Sequence, residues 1–213
     1  MDFNYETHTY SKDGVVYQSV SSLIEKYKRP FNSEFVATMV AQKSGREVED
    51  ILYEWDLKRT ISTNFGNAIH ESVELFIKYG EKPKQDFLLK VINEFEELTA
   101  GKKMYSEVIL EDDEHLVAGT PDILTSFGNK FVDIEDIKTN GDLYKKPRSK
   151  FLPPFDDLPD STLNEYRLKA SVYKHLAEAK GLTVGELHLY HYTDHWEVIT
   201  LEPININALW QTK

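Results

Sequence analysis

Residues 115–139 read HLVAGTPDILTSFGNKFVDIEDIKT, and this stretch decides the fold. Apolar and polar side chains alternate with a period of two on both sides of Phe127-Gly128-Asn129, a turn composition. It reads as two strands, His115–Thr125 and Lys130–Thr139. Upstream, Met104–Leu110 has the same period and joins through the polar turn Glu111–Glu114, giving a three-stranded meander. Before the meander the period is helical. One helix runs from Lys84 to Ala100 and ends at Gly101. Another runs from Phe65 to Tyr79 and ends at Gly80, a favourable residue just past a helix end. The whole segment from Ser33 to Gly80 reads as helical pieces broken at Gly45 and around Ser62-Thr63-Asn64. Nearer the N-terminus, Asp13-Gly14 between Thr9-Tyr10 and Val15-Val16-Tyr17 predicts a hairpin. Ser22 followed by Glu25 predicts a capping box on a short helix that stops near Pro30. After the meander come a loop with Pro147, Pro153, Pro154 and Pro159, and a helix from Ser161 or Thr162 to Lys180. Two strands, Glu186–Tyr192 and Trp196–Leu201, and a short C-terminal helix follow. This order predicts an α/β (α+β) domain with a mixed central sheet flanked by helices. Residues 1–64 form an N-terminal hairpin and helical extension, and residues 65–213 the core of a single domain.

Composition bounds the function. The chain has 213 residues, 40% hydrophobic and 29% charged, which suits a soluble domain with a real core. There is no cysteine, which excludes disulfides, Cys-ligated zinc and iron–sulfur clusters. No secretory signal is expected at Met1-Asp2-Phe3-Asn4-Tyr5-Glu6 and no apolar run is long enough for a membrane span, so no membrane partner is expected. A cytoplasm is the default location. The net charge of −11 argues against a simple nucleic-acid coat. Two basic clusters stand out, Lys26, Lys28, Arg29 and Lys145, Lys146, Arg148, Lys150. Each reads equally as a solvated loop or as a phosphate contact.

The chemistry sits in Phe131-Val132-Asp133-Ile134-Glu135-Asp136-Ile137-Lys138. Alternation puts Val132, Ile134, Asp136 and Lys138 on one face. A core face that ends in two charges is costly unless they pair or bind a metal. A cross-strand ion pair at a sheet end satisfies that strand by itself. In the preceding strand Leu116, Ala118, Thr120, Asp122 and Leu124 share a face, and Pro121 implies an edge, a bulge or a strand end. Asp122 precedes Asp136 by one short turn, so a hairpin sets the two carboxylates side by side. Close carboxylates need a cation or a proton. Hard oxygen donors without cysteine favour Mg²⁺ or Mn²⁺. On the helix 65–79, Phe65, Ile69, Val73 and Phe76 form an apolar stripe with His70 at its border and Glu74 one turn on. Gly66, one turn before His70, leaves space for another backbone or a ligand.

Together Gly66-x-x-x-His70, Gly119-Thr120-Pro121-Asp122, Asp136-Ile137-Lys138-Thr139 and a following helix with Tyr173 resemble the RecB-like branch of the PD-(D/E)xK nuclease superfamily. That branch includes phage and bacterial single-domain exonucleases and the mitochondrial genome-maintenance exonuclease. Tyr17-Gln18-Ser19-Val20-Ser21-Ser22-Leu23 resembles the start of the group. The resemblance implies a restriction-endonuclease-like core in a bacterial cell or phage-infected host, with roles in DNA repair or recombination. It implies metal held by His70, Asp122, Asp136 and the Ile137 carbonyl, with Lys138 orienting or deprotonating the attacking water and stabilising phosphate charge. Glu74, Glu107 and Tyr173 are secondary candidates. Ser19, Ser21, Lys145, Lys146, Arg148 and Lys169 are candidate DNA contacts. The sequence departs from the pattern at Lys169-Ala170-Ser171-Val172-Tyr173, where lysine replaces the family's glutamine.

His188, His191 and His195 have metal-like spacing, but strand alternation separates His188 from His191, so no zinc site is expected there. Tyr190, Tyr192 and Trp196 suit base stacking or, more simply, a sheet core. Three functions stay open. The first is an exonuclease on DNA single strands or ends. The second is a weak or inactive nuclease-fold binding module. The third is a structure-specific endonuclease.

Overall fold

A computed structural model describes residues 1–4, 7, 9–147 and 149–211. In chain order the elements are β1 (Asp2–Asn4), β2 (Thr9–Lys12), β3 (Val15–Ser19), α1 (Val20–Glu25), α2 (Ser33–Ser44), α3 (Val48–Tyr79) and α4 (Asp86–Leu98). Then follow β4 (Lys103–Ser106), β5 (Leu110–Asp112), β6 (Val117–Gly119), β7 (Ile123–Gly128), β8 (Phe131–Lys138), α5 (Thr162–Ala179), β9 (Thr183–Tyr192), β10 (Trp196–Thr200) and a 3-10 turn, Asn207–Trp210. Among the described residues no helix is long and apolar enough to cross a membrane.

The strands form two mixed sheets, ordered β10-β9-β8-β7-β4 and β1-β2-β3-β6-β5. In the larger one β8 and β9 run parallel, joined by α5, and the other neighbours run antiparallel. Helices cover both faces. Val132 and Ile134 of β8 and Leu187 and Leu189 of β9 pack with α1 and α5. Ile137 and Tyr190 pack against Ile69 and Val73 of α3 and Val91, Ile92 and Phe95 of α4. Tyr190 and Tyr192 are buried, so these rings belong to the core.

Two expected strands are each cut in half. Met104–Leu110 breaks at Glu107, whose φ of 55° leaves the strand region. His115–Thr125 breaks at Thr120-Pro121-Asp122, because Pro121 has no N–H for a ladder. The halves join different sheets, β4 and β7 the larger, β5 and β6 the smaller. The shared face expected for Leu116 through Leu124 therefore ends at the proline.

The helical expectations also change. No break occurs at Ser62-Thr63-Asn64; α3 runs 32 residues without interruption to Gly80. Those residues are mediocre helix formers, each costing only tenths of a kcal/mol, and none removes a backbone donor as proline does. The cap of α1 is Ser19, not Ser22, and its hydroxyl accepts the Ser22 N–H at 3.1 Å. The hairpin forms as expected, pairing Tyr10 with Tyr17, with positive φ at both Asp13 and Gly14. Strand β1 on its edge was not anticipated.

Candidate active site

The break at Pro121 swings Asp122 out of the ladder and toward the end of β8. There its Oδ2 accepts the Ile137 N–H at 2.6 Å, so the backbone of β8 holds the carboxylate. Asp136 projects beside it. Lys138 Nζ lies 2.5 Å from Asp136 Oδ2 and 3.9 Å from Asp122 Oδ2, and donates to the Ile137 carbonyl at 2.8 Å. The Tyr166 ring of α5 lies 5.2 Å from the same ammonium, and its hydroxyl donates to Asn140 Oδ1. From the other side, His70 of α3 places Nδ1 3.4 Å from Asp122 Oδ1. Two glycines permit these approaches. A Cβ on Gly66 would sit 3.0 Å from Thr139 Oγ1, so α3 rests close on the end of β8. A Cβ on Gly119 would sit 2.6 Å from Val20 and 2.7 Å from the Tyr173 ring, so α1 and α5 close over β6 only because that position is bare.

Electrostatics follow from this crowding. Burial pushes the Asp136 carboxyl up to about 6, with Lys138 opposing and the Asp122 charge assisting. Burial acts the same way on Asp122, but Lys138 and His70 outweigh it and hold that carboxyl well below the usual range. The pair titrates as a unit, so the firm statement is that one carboxyl is easily protonated and the other is not. Burial alone would lower Lys138; Asp136 and Asp122 reverse this and hold its ammonium well above the ordinary lysine range. Burial opposes protonation of His70, and the Asp122 carboxylate overrides it and raises the ring. Burial, then Asp122 and Glu74, push Glu107 up to about 7. Glu107 adjoins Asp122 through the backbone, its N–H donating to the Asp122 carbonyl at 3.2 Å.

The group opens into a cleft of about 1040 Å³ lined by His70, Glu74, Lys138, Thr139, Asn140 and Tyr166. One imidazole, two carboxylates and one carbonyl fit a hard divalent cation. Burial, more than the neighbouring Asp122 charge, raises Asp136, and a cation bound there would offset both.

The remaining predicted residues are placed as follows. Tyr173 is buried against Gly119. Glu74 pairs with Lys78 at 2.5 Å. Ser19 spends its hydroxyl on the α1 cap, and Ser21 is exposed. Lys169 pairs with Glu165 at 2.8 Å. Lys145 and Lys146 are exposed beside a second groove of about 580 Å³ that also contains Phe31 and Trp55. Arg148 lies outside the described residues. Glu135 is buried on the opposite face from Asp136. His188, His191 and His195 do not meet; they face Glu186, Asn140 and Asp194 respectively.

Among the described residues two groups have ligand atoms all within 4.8 Å of one another, Asp112, His115, His175 and Asp133, Glu186, His188; His70, Asp122 and Asp136 do not form such a group. Sequence reading missed the first. Its only signal was an Asp three residues before a His, and the third member lies on a helix far along the chain.

No family model matches the sequence, and no curated protein matches it. Among solved structures the fold is similar to SSO0001, with a TM-score of 0.33 and 15% identity over 75% of this chain and 82% of that one. It is also similar to a candidate exonuclease from Eubacterium rectale, with a TM-score of 0.37 and 12% identity over 92% of this chain and 75% of that one. Likeness this remote says nothing about activity.

Proposed function

We propose that this chain is a metal-dependent nuclease that hydrolyses phosphodiester bonds in DNA, acting as an exonuclease on single strands or ends. One observation carries the reading: Asp122 and Asp136 converge on Lys138 with His70 opposite, and Lys138 and His70 line the cleft in front of the two carboxylates. His70, Asp122, Asp136 and the Ile137 carbonyl would hold Mg²⁺ or Mn²⁺. Such an ion neutralises phosphate charge and acidifies water in an in-line displacement. The chain's own residues do the rest. The Ile137 N–H fixes the Asp122 carboxylate before any ligand arrives. Lys138 keeps its proton and points an ammonium at the place where phosphate charge develops; such help is worth most in the transition state. Glu107, with its carboxyl near 7, can hold or release a proton beside Asp122 at neutral pH. Lys145, Lys146, Arg148, Ser19, Ser21 and Lys169 are the proposed DNA contacts.

The close Lys138–Asp136 contact favours a second reading, a nuclease fold that binds nucleic acid without cutting it. End-labelled linear DNA and closed circular DNA, each with Mg²⁺, decide among the possibilities. The expected outcome is shortening of linear DNA only, abolished by chelator and reduced roughly 10³-fold or more by Asp122→Ala. Cutting of circles means an endonuclease. Binding without cutting, or cutting that survives chelator, overturns the proposal.

A further inference from the structure

We propose that Asp112, His115 and His175 form a second metal site, one that selects Zn²⁺ rather than Mg²⁺ and clasps β5 to α5. None of the three lines the cleft around Lys138. His115 Nδ1 and His175 Nε2 each lie 2.7 Å from Asp112 Oδ2. The other carboxylate oxygen is already engaged, since Oδ1 accepts the N–H groups of Glu114 at 2.8 Å and His115 at 3.3 Å. Asp112 is therefore fixed with one oxygen facing the two rings. Trp210 fixes the rings in turn. Its indole stacks on His175 at 4.5 Å and lies tilted against His115 at 4.6 Å. This outer layer sets ring orientation as supporting groups do around metal ligands.

The donor chemistry chooses the ion. Two imidazoles and one carboxylate suit zinc and its neighbours, whereas Mg²⁺ favours a set dominated by oxygen, as in the cleft. Tetrahedral zinc with bonds of about 2.0–2.1 Å needs its donors roughly 3.3 Å apart, so each ring has to withdraw by only about 0.6 Å. The side chains of His115 and His175 are 20% and 30% exposed, which leaves an entry path and a fourth position for water. That opening is a cavity of about 400 Å³ whose rim carries Glu111, Asp113 and Glu114, with Lys180 paired to Glu111 and Lys12 to Asp113. Coordination at His115 Nδ1 and His175 Nε2 places each ring's proton on its other nitrogen.

The test uses the full chain carrying Asp136→Asn, which disables the cleft as a competing site. Metal-free protein is titrated with Zn²⁺ by calorimetry, with Co²⁺ by visible absorption, and melted with and without each ion. The expected result is one Zn²⁺ per chain, a tetrahedral Co²⁺ spectrum and a higher melting temperature, with no such rise from Mg²⁺. His115→Gln and His175→Gln should each weaken zinc binding by about 10–100-fold or more. Both side chains are partly exposed, and circular dichroism of the metal-free variants confirms that they fold. Failure of the Asp136→Asn protein to take up zinc overturns the proposal. So does uptake that survives both substitutions.

Discussion

The cleft group and the clasp sit at opposite ends of one short ladder, in which β5 pairs with β6 through Leu110–Gly119 and Asp112–Val117. Past Gly119 the chain turns through Pro121 into Asp122 and the cleft. At the other end stands Asp112 under its two histidines. Both ends bury carboxylates, and they handle the cost differently. In the cleft, burial and a second carboxylate lift Asp136 to about 6 even with an ammonium beside it. At Asp112 burial also raises the carboxyl, but His115, His175 and two backbone N–H groups outweigh it and pull it down to about 2. Burial prevails at Asp136, whereas hydrogen bonds prevail at Asp112. A cation entering the cleft relieves repulsion between two carboxylates, whereas one entering the clasp replaces the hydrogen bonds between Asp112 and its two rings. The residue types look alike; the balance of partners separates a site built for turnover from one built for holding.

Lys138 is the cleft's distinguishing feature, and removing it has the largest expected effect. Lys138→Ala should cut the single-turnover rate per folded molecule by about 10²–10³-fold while DNA affinity changes little. It should also lower the melting temperature in chelator, because two buried carboxylates lose their partner, and Mg²⁺ should restore part of the loss. Lys138→Arg should rescue poorly, since a planar fork does not replace a compact ammonium. A normal rate in Lys138→Ala would make the lysine a mere strand-end pin and erase the contrast with the clasp. Gly119→Ala tests the ladder that joins the two ends. Its methyl has nowhere to go between Val20 and Tyr173, so urea denaturation should show a loss of about 1–3 kcal/mol. Unchanged stability would mean that α1 and α5 are free to move apart.

The smallest effect concerns Glu165 of α5. Burial would raise its carboxyl, but Lys169 and Lys28 outweigh this and lower it. A lowered carboxyl contributes stability above its unfolded value of about 4.3, and the contribution fades as pH falls through the folded value. Glu165→Gln should therefore cost under about 1 kcal/mol at pH 7 and nothing near pH 3. Equal losses at both pH values would show that shape, not charge, is what Glu165 provides.

Much of this was legible in the chain. Alternation along 131–138 placed Asp136 and Lys138 together, and Pro121 marked Asp122 as lying off the ladder; both are local effects of strand geometry and a missing N–H. The division of strands between two sheets was not legible. Glu107 sits at a positive φ that its residue type does not announce, and periodicity cannot say which neighbour a strand will find. The clasp was invisible for a similar reason. Asp112 and His115 flank a turn, but His175 reaches them only because α5 crosses the small sheet. Helix α3 was divided on the page because weak helix formers look like a break, although without proline or glycine they carry no reason to stop.

That unbroken helix has a mechanical consequence. Thirty-two residues at about 1.5 Å each make a rod of about 48 Å. Its C-terminal part is embedded beside α4, while its outer part buries only Ile51 before Ile69 is reached. At Gly66, where a Cβ would sit 3.0 Å from Thr139 Oγ1, the rod rests on the end of β8, and a pivot at that point would work as a lever. A tilt of about 5° there carries the outer tip, about 27 Å away, through more than 2 Å, yet shifts His70 by only about 0.5 Å. Whatever presses on the far end is geared down about fourfold before it reaches the imidazole, so a coarse push outside becomes a fine adjustment within.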